Sequence, residues 1–321
     1  MASRRDFMVL AALGAAVPRH VLAEAAYPAH AVKMVVPLPP GGSPDYTARL
    51  VSDRLQAVLG QPFVVDNKPG ANGGIAREFT ARSTPDGYTL LMTESSHVMS
   101  AALVKSPYDP IRDFEPIVQA VNTPFVLAVN SSLGVGTLDE LIALARAKPG
   151  QLNYGSSGVG APHHFAAELL RSMTGIDVVH VPYKGAPESV LAVLRGEVQF
   201  YFAPINLAKE MAEGGKVRAL AVATPARNPS MPGVPTFAEA GLPFTYDGWF
   251  GLMAPKGVPP AIIARINADV VAALKTQKVQ EKLAQQFVIP VTDTPEQFEK
   301  IIRDETANLT QVFKEAGIGA N

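Results

Sequence analysis

The sequence contains no cysteine among its 321 residues. This absence excludes disulfide bonds, thiolate catalysis and cysteine-ligated metal sites. It leaves the cellular compartment open, because an exported bacterial protein can do without disulfides. A surplus of positive charge is also missing, since 28 Lys and Arg residues face 29 Asp and Glu residues and the formal net charge is -1. We therefore expect no basic surface for nucleic acid or anionic lipid.

Apolar runs long enough to span a bilayer, which takes about 20 residues, are absent as well. Near the N-terminus, Arg4-Arg5 precedes a short apolar run at residues 9–17, and Ala23-Glu24-Ala25 has the small-x-small form of a signal-peptidase site. This order is typical of a twin-arginine-like export signal, which we place at residues 1–25. An attached amphipathic helix is the weaker alternative, and the general export route stays open. The mature chain is expected to be soluble and periplasmic in a bacterium.

What the sequence does have is length and apolar content. Hydrophobic residues make up 47% of the chain, which is ample for buried cores and favours two lobes of similar size. Apolar strand-like runs alternate with helical patterns along most of the chain, and this predicts an α/β fold. Residues 33–55 show the unit most clearly, with an apolar run, a glycine loop and a helical pattern.

The glycine loop Gly41-Gly42-Ser43 is a predicted anion site. Adjacent glycines allow a sharp turn, and the following helix leaves its first-turn N–H groups unpaired at the positive end of its dipole. No Lys-Ser or Lys-Thr pair follows and no G-x-G-x-x-G spacing is present, so carboxylate is favoured over phosphate. From this stretch alone, an ordinary strand-to-helix turn is an equal alternative. Asp45 could cap the helix rather than touch a ligand.

Three further loops follow predicted strands. They contain Ser95-Ser96-His97, the run at residues 153–164 and Lys184-Gly185. Ligands of open α/β sheets lie beyond the carboxyl ends of strands, so these loops are candidate walls of one cleft. Turn-forming hydroxyls are the alternative for the serines. A loop lysine such as Lys184 is more often solvated than paired with a ligand.

Two segments are predicted to cross between the lobes. One crossing is expected near Thr123-Pro124, and the return crossing is expected in the segment at residues 246–255 around Trp249. The resulting division assigns residues 26–123 and 250–321 to lobe 1, and residues 124–249 to lobe 2. Helices after Pro259 are expected to fold back onto lobe 1.

Taken in order, these motifs resemble one family, the tripartite tricarboxylate transporter substrate-binding proteins, also called the Bug family of periplasmic solute receptors. The matching pieces span nearly the whole mature chain and are Pro37-x-Pro39-Pro40-Gly41-Gly42-Ser43-x-Asp45, Asn67-Lys68-Pro69-Gly70-Ala71-x-Gly73-Gly74, Pro85-Asp86-Gly87-Tyr88-Thr89-Leu90, Tyr154-Gly155-Ser156-x-Gly158-x-Gly160, Val181-Pro182-Tyr183-Lys184-Gly185 and Gly248-Trp249-Phe250-Gly251.

The resemblance implies a two-lobed periplasmic binding-protein fold of type II-like form, with two crossing strands at the hinge. It implies a monomeric receptor that closes on a small carboxylate and delivers it to membrane transporter subunits, without cofactor, metal or catalysis. The predicted ligand-binding residues are Pro40, Gly41, Gly42, Ser43, Asp45, Tyr46, Ser95, Ser96, His97, Ser156, Gly158, Gly160, Ala161, His163, Lys184 and Ala203.

Three alanines depart from the family pattern. Ala161 and Ala186 stand where hydroxyl residues are usual, and Ala203 stands where the family has an aspartate. Without that aspartate, a ligand ammonium would lack its carboxylate partner, and a buried unpaired charge is costly. We therefore expect an amine-free or aromatic carboxylate. The side chains considered as aromatic walls are Tyr46, His97, His163 and Trp249.

Other functions were weighed against transport. A serine hydrolase would need glycine at position 159 to complete the elbow G-x-S-x-G around Ser157, and the residue there is Val159. His163-His164 has neither the spacing nor the nearby carboxylates of a metal site. A periplasmic sensor that reports to a membrane kinase would use the same cleft, and the sequence does not separate it from a transport receptor.

Overall fold

The computed structural model describes residues 27–103 and 107–315. The predicted export signal lies outside the described residues. In chain order the strands and α-helices are β1 Val32–Val36, α1 Ser43–Leu59, β2 Phe63–Asn67, α2 Gly74–Ala81, β3 Thr89–Glu94, α3 Ser96–Leu103, β4 Phe114–Asn130, α4 Leu138–Ala147, β5 Leu152–Ser156, α5 Pro162–Thr174, β6 Val178–Pro182, α6 Ala186–Arg195, β7 Phe200–Pro204, α7 Ile205–Glu213, β8 Val217–Val222, β9 Asp247–Pro255, α8 Pro260–Leu274, α9 Gln277–Gln285, β10 Ile289–Pro290 and α10 Pro295–Glu315.

Two sheets share the long strand β4. In lobe 1 the order is β2-β1-β3-β9-β4, with β1, β2 and β3 parallel and β9 antiparallel to both its neighbours. In lobe 2, β4 pairs with β7 and β8 in antiparallel fashion, and β5 lies parallel between β7 and β6. The predicted two-lobed α/β fold is confirmed.

The chain changes sheets at two neighbouring points. Along β4, Pro124 pairs with Asp247 of β9, whereas the next residue, Phe125, pairs with Pro204 of β7. On the return, the Tyr246 N–H still donates to the carbonyl of Ala223, just after β8, before β9 begins. These two points form the hinge, and they fall in the segments where the sequence predicts the crossings. The residue bounds of the lobes remain a prediction.

Helix periodicity explains how lobe 1 is packed. Ala48, Val51 and Leu55 recur at helical spacing on α1, are almost fully buried, and join the β1 side chains of Val32 and Met34 in one core. Helix α8 packs on α1 and β4 in the same core. Burial of this apolar stripe stabilises the helices more than their intrinsic propensity does.

Hydrogen bonds of the capping-box kind stand at two helix starts, those of α4 and α10. Thr137 Oγ1 accepts from the Glu140 N–H at 3.2 Å, and the Glu140 carboxylate accepts from the Gly136 N–H. At the start of α10 the exchange is fully reciprocal: the Gln297 N–H donates to Thr294 Oγ1, and the Thr294 N–H donates to Gln297 Oε1. These caps satisfy N–H groups that a helix start otherwise leaves unpaired.

The C-terminal helix α10 contacts both lobes. Its Phe298 packs edge-on against Trp249 of β9, while Phe313, near its other end, contacts His164 and Phe165 of α5 in lobe 2. The expectation that the C-terminal helices pack on lobe 1 therefore holds for α8 and is incomplete for α10. Within the described ranges, no helix has the length and apolar character needed to cross a membrane.

Candidate functional site

Three helix N-termini follow strand ends, at α1, α5 and α6. Their N-cap residues are Gly42, Ala161 and Gly185, and no side chain in the described part of the chain caps any of them. A Pro occupies the first or second position of each helix and has no backbone N–H. The other first-turn residues supply the N–H groups that point past the helix end. Such N–H groups carry partial positive charge and suit an anion.

Asp45 holds the first of these loops in shape. Its carboxylate accepts hydrogen bonds from the Gly41 N–H, the Arg49 guanidinium and the Asn67 amide, each at 3.0 Å. Burial opposes ionisation of this carboxyl, but the hydrogen bonds from Arg49, Gly41 and Asn67 outweigh burial and lower its pKa. Gly41 has φ +94, a conformation that favours glycine. Asp45 therefore supports the loop, and its charge is already paired.

A buried arginine supports the loop after β3. Arg77 of α2 is 0% exposed and donates to Ser96 Oγ at 2.5 Å and to the Asn72 carbonyl at 2.9 Å. Its guanidinium lies 3.6 Å from the Glu94 carboxylate, which also accepts from Ser96 Oγ at 2.7 Å. The Ser96 hydroxyl therefore lies between the Arg77 guanidinium and the Glu94 carboxylate, and it helps to hold the loop in shape.

Residues of both lobes meet at the hinge in a group that we call the junction cluster: Ser95, Phe125, His163, Tyr246 and Gly248. The Phe125 ring lies 5.4 Å from the His163 ring and 5.7 Å from the Tyr246 ring. A Cβ at Gly248 would lie 2.8 Å from Phe125 and 3.6 Å from Ser95 Oγ. The Ser95 N–H donates to the Trp249 carbonyl at 3.1 Å. The cluster joins the end of β3 to the start of α5 across the crossing strands.

In lobe 2, three histidines support the loop before α5. His163 Nδ1 lies 3.0 Å from Ser157 Oγ, and its ring stacks on Tyr201. The Gly160 N–H donates to His164 Nδ1 at 3.2 Å, so His164 holds the backbone of the loop in place. The His180 ring stacks on the His164 ring with centroids 4.0 Å apart. Each of the three histidine rings therefore contacts at least one neighbouring group and helps to hold it in place.

The structure brings some predicted ligand-binding residues together and separates others. Pro40, Gly41 and Gly42 are exposed at the start of α1, Ser43 and Tyr46 are partly buried there, and Gly158, Gly160 and Ala161 form the turn into α5. His97 instead lies in the lobe 1 core between Tyr108 and Phe114, with Nε2 bonded to the Pro110 carbonyl. Ala203 is 0% exposed in the lobe 2 core, and Lys184 is exposed.

Sequence reasoning missed Phe125, Tyr246 and Gly248. Each lies beside a predicted crossing point, and that position was the signal available in the sequence. Trp249, weighed as a cleft wall, faces α10 instead: its Nε1–H donates to Glu305 at 2.8 Å.

The chemistry of a hydrolase is incomplete at the serine loop. Ser156 Oγ lies 2.6 Å from His180 Nε2, but the same hydroxyl also contacts the carbonyl and the N–H of Gly158. No carboxylate of the described residues bonds to His180, so the third member of a triad is missing there. Among the residues described, no group of three His, Cys, Asp or Glu side chains could hold a metal ion.

Burial shifts the pKa of four histidines and three carboxyl groups. It lowers the pKa of His97, His163 and His164 to about 3 and the pKa of His180 to about 4. Burial raises the carboxyl pKa values to about 6, about 7 and about 8, in the order Asp293, Asp247 and Glu305.

These opposed shifts predict a stability maximum near neutral pH. A histidine with a lowered pKa stabilises the fold above about pH 6.5, and its contribution is lost as the pH falls towards its folded value. A carboxyl with a raised pKa stabilises the fold at acid pH, and its contribution is lost as the pH rises through its folded value. We expect urea unfolding to give a maximum at about pH 6.5 and a loss of about 1–2 kcal/mol by about pH 5. Stability that keeps rising down to that pH would contradict the shifts.

The model of the tripartite tricarboxylate transporter family receptor matches residues 47–318. The chain belongs to this receptor family. Protein BugT of Bordetella pertussis is 39% identical over 295 residues, covering 91% of this chain and 90% of that protein.

Solved structures of the receptor family share the whole fold. An R. palustris protein with adipate has a TM-score of 0.81 at 35% identity, covering 92% of this chain and 100% of the other. MatC of Rhodopseudomonas palustris, with bound malate, has a TM-score of 0.77 at 31% identity, covering 89% and 99%. As members of this family are solute-binding receptors, the prediction that the protein is not an enzyme is confirmed.

Proposed function

We propose that this receptor captures a small, amine-free or aromatic carboxylate between its lobes and delivers it to the membrane subunits of a tripartite tricarboxylate-type transporter. The protein acts in the periplasm as a monomer after export. The carboxylate bridges the N-termini of α1 and α5, one in each lobe, and so favours the closed state by its higher affinity for that state.

The observation that carries the proposal is the pair of helix N-termini on opposite lobes, at Gly42 and Ala161, each after the end of a strand. The junction cluster at the hinge contacts the second of them through His163. Neither N-cap has a side chain of its own to satisfy the first-turn N–H groups, so a ligand carboxylate can accept from them. Adipate and malate are carboxylates, and each is bound by a relative of similar fold.

The chemistry of the surrounding side chains favours a ligand without an ammonium group. The carboxylate nearest the α1 loop, Asp45, is paired with Arg49, and position 203 offers only a buried methyl group. Phe125, His163 and Tyr246 give the junction an aromatic character, and burial keeps the His163 ring neutral by lowering its pKa to about 3. A ligand amine would find no charged partner among these groups.

A thermal-shift screen of the purified protein tests the proposal. Aliphatic dicarboxylates, aromatic carboxylates and amino acids would be compared, because a ligand that binds only the folded state raises the melting temperature. We expect the largest rise with an amine-free carboxylate. If amino acids gave the largest rise, the inference from Ala203 would be wrong, and if no organic anion gave any rise, carboxylate capture itself would be rejected.

Substitution of Gly42 by alanine locates the binding site. Gly42 has φ -81, and a Cβ there would meet only Pro44 Cδ, at 3.6 Å, so alanine fits the backbone. Its methyl group would occupy the open space at the start of α1. We expect carboxylate affinity to fall at least about tenfold, which is about 1.4 kcal/mol, with stability changed by less than about 0.5 kcal/mol.

The matched control is Gly233→Ala. A Cβ at Gly233 meets no atom within 4 Å, and its loop carries none of the predicted ligand-binding residues. Carboxylate affinity of this control should equal that of the unmodified protein. Equal affinity in Gly42→Ala would remove the α1 N-terminus from the site.

A further inference from the structure

A cavity lies on the α10 side of the hinge. Its volume is about 630 Å³, and it is lined by α5 of lobe 2, by α10 and by the crossing strands β4 and β9. None of the predicted ligand-binding residues lines it. The lining residues used below are Gln119, Phe165, Tyr246, Asp247, Trp249 and Glu305.

Two carboxyl groups lie in this cavity without a positive partner among the described residues. Asp247 Oδ1 is buried and has no hydrogen-bond partner in the described chain. Glu305 accepts one hydrogen bond, from Trp249 Nε1, at 2.8 Å. No Lys, Arg or His of the described residues lines the cavity. Burial raises the pKa of Asp247 to about 7 and of Glu305 to about 8, as expected for carboxyls that lack a compensating charge.

The remaining walls are aromatic and amide groups. Trp249, Phe165 and Tyr246 are 1%, 5% and 7% exposed, respectively, and all three contribute to the lining. Gln119 is 5% exposed, and its side-chain amide bonds to that of Asn122, a neighbour in the same lining. Aromatic faces attract cations by their quadrupole, and the attraction grows when the cation is removed from water.

We propose that the hinge cavity binds a compact organic cation, namely a primary ammonium attached to an apolar or aromatic group. The ammonium supplies the missing positive charge and three N–H donors for the acceptors of Asp247 and Glu305. The apolar group lies against Trp249 and Phe165. A metal ion is a poorer match, because the described residues offer no group of three metal-ligating side chains.

The position of the cavity connects it to the carboxylate site. Helix α5 contributes Phe165 to this cavity and, one turn earlier, begins at the N-terminus proposed to hold the carboxylate. Tyr246 lies in the junction cluster and also lines the cavity, and burial together with the nearby charges of Glu305 and Asp247 raises the pKa of its hydroxyl. A cation that binds one lobe arrangement better will therefore change carboxylate affinity, and carboxylate will change cation affinity by the same factor.

Trp249 allows a direct test, because it is the only tryptophan in the sequence and lines the cavity. Benzylammonium would be titrated into the purified protein while tryptophan fluorescence is recorded. We expect a saturable change with millimolar or tighter affinity. Affinity should rise from about pH 6 to about pH 8.5, because protons must leave the Asp247 and Glu305 carboxyls for the cation to bind. Benzyl alcohol, with the same ring but no charge, and the anion phenylacetate should give no saturable change at millimolar concentration.

Three variants assign the binding to the cavity. Glu305→Gln removes one charge and keeps an acceptor for the Trp249 N–H. Asp247→Asn removes the other charge. Each substitution should lower the affinity for benzylammonium at least tenfold. Asp304→Asn removes a neighbouring charge on α10 that pairs with Lys300 outside the cavity, and it should leave the affinity unchanged. If either charge-removing variant unfolds, the other supplies the same comparison.

The outcomes separate this proposal from the carboxylate receptor. No saturable response to benzylammonium, or equal loss in Asp304→Asn, would overturn the cation site. The thermal shift with carboxylates is measured on the same samples. A positive carboxylate shift without a cation response therefore rejects the hinge cavity alone, and a cation response without any carboxylate shift rejects the proposed function alone.

Discussion

Replacing Arg77 with methionine is expected to lower the free energy of unfolding by about 3–5 kcal/mol. The guanidinium is completely buried and bonds to Thr93, Ser96 and the Asn72 carbonyl. Methionine fills much of the same volume but leaves the Glu94 carboxylate without its positive neighbour. Removal of one partner from a buried ion pair costs more than the pair contributes, because the other charge stays desolvated. Urea unfolding followed by circular dichroism gives this value.

The control for Arg77 is Arg303→Met. Arg303 lies on the exposed face of α10 and pairs with Glu299 one turn away. Exposed helix pairs of this spacing contribute about 0.3–0.5 kcal/mol. A loss in Arg77→Met no larger than this would show that the buried network does not stabilise the fold. In addition, carboxylate affinity should fall in Arg77→Met, because Arg77 positions the loop that carries Ser95 and Ser96.

Replacing Gly251 with alanine is expected to destabilise the protein by up to about 3 kcal/mol. A Cβ at Gly251 would lie 2.2 Å from Cζ of Phe298, closer than any real contact. The ring is 0% exposed and packs edge-on against Trp249, so it cannot move into solvent without opening a gap. The added methyl group therefore pushes α10 away from β9. Thermal or urea unfolding measures the loss.

A rescue experiment distinguishes this clash from general disruption of β9. In the background of Phe298→Leu the ring is gone, and the added methyl of Gly251→Ala has space. The double variant should then be more stable than the sum of the two single losses predicts, by about 1 kcal/mol or more. Simple additivity would contradict the proposed contact.

Much of the fold could be predicted from local patterns. The apolar run of β1, the glycines before α1 and the spacing of Ala48, Val51 and Leu55 are each governed by neighbours in sequence. The capping boxes at Thr137 and Thr294 are equally local, and both are present. The crossing near Pro124 was indicated because a long strand pattern there lacked an intervening helix.

The junction cluster could not be predicted in the same way. Phe125 and Tyr246 meet across more than a hundred residues of chain, and nothing local in either segment indicates the contact. Arg77 looks like an ordinary helix-surface arginine, because the acidic and hydroxyl groups that bury it come from the end of β3. His97 follows a strand end as a ligand residue would, yet the ring enters the core where the Pro110 carbonyl receives it.

The two-lobed arrangement explains why the hinge is the most informative region of the molecule. Both crossings lie at Pro124 and Asp247, and the junction cluster and the cavity beside α10 each include residues at or next to these crossings. A ligand on either side of the hinge can change the balance of open and closed states only if its affinity differs between the two states. The most direct test of the site therefore compares the affinities of two ligands that differ in one chemical group.

The central claim is that the receptor takes a carboxylate without an ammonium group, and isothermal titration of matched ligands tests it most directly. Succinate is compared with aspartate, and 3-phenylpropionate with phenylalanine, so that each pair differs by one amino group. We predict that at least one amine-free member binds and that its amino acid counterpart binds at least about tenfold more weakly, a difference of about 1.4 kcal/mol. Tighter binding of aspartate or phenylalanine than of its amine-free partner would contradict the account.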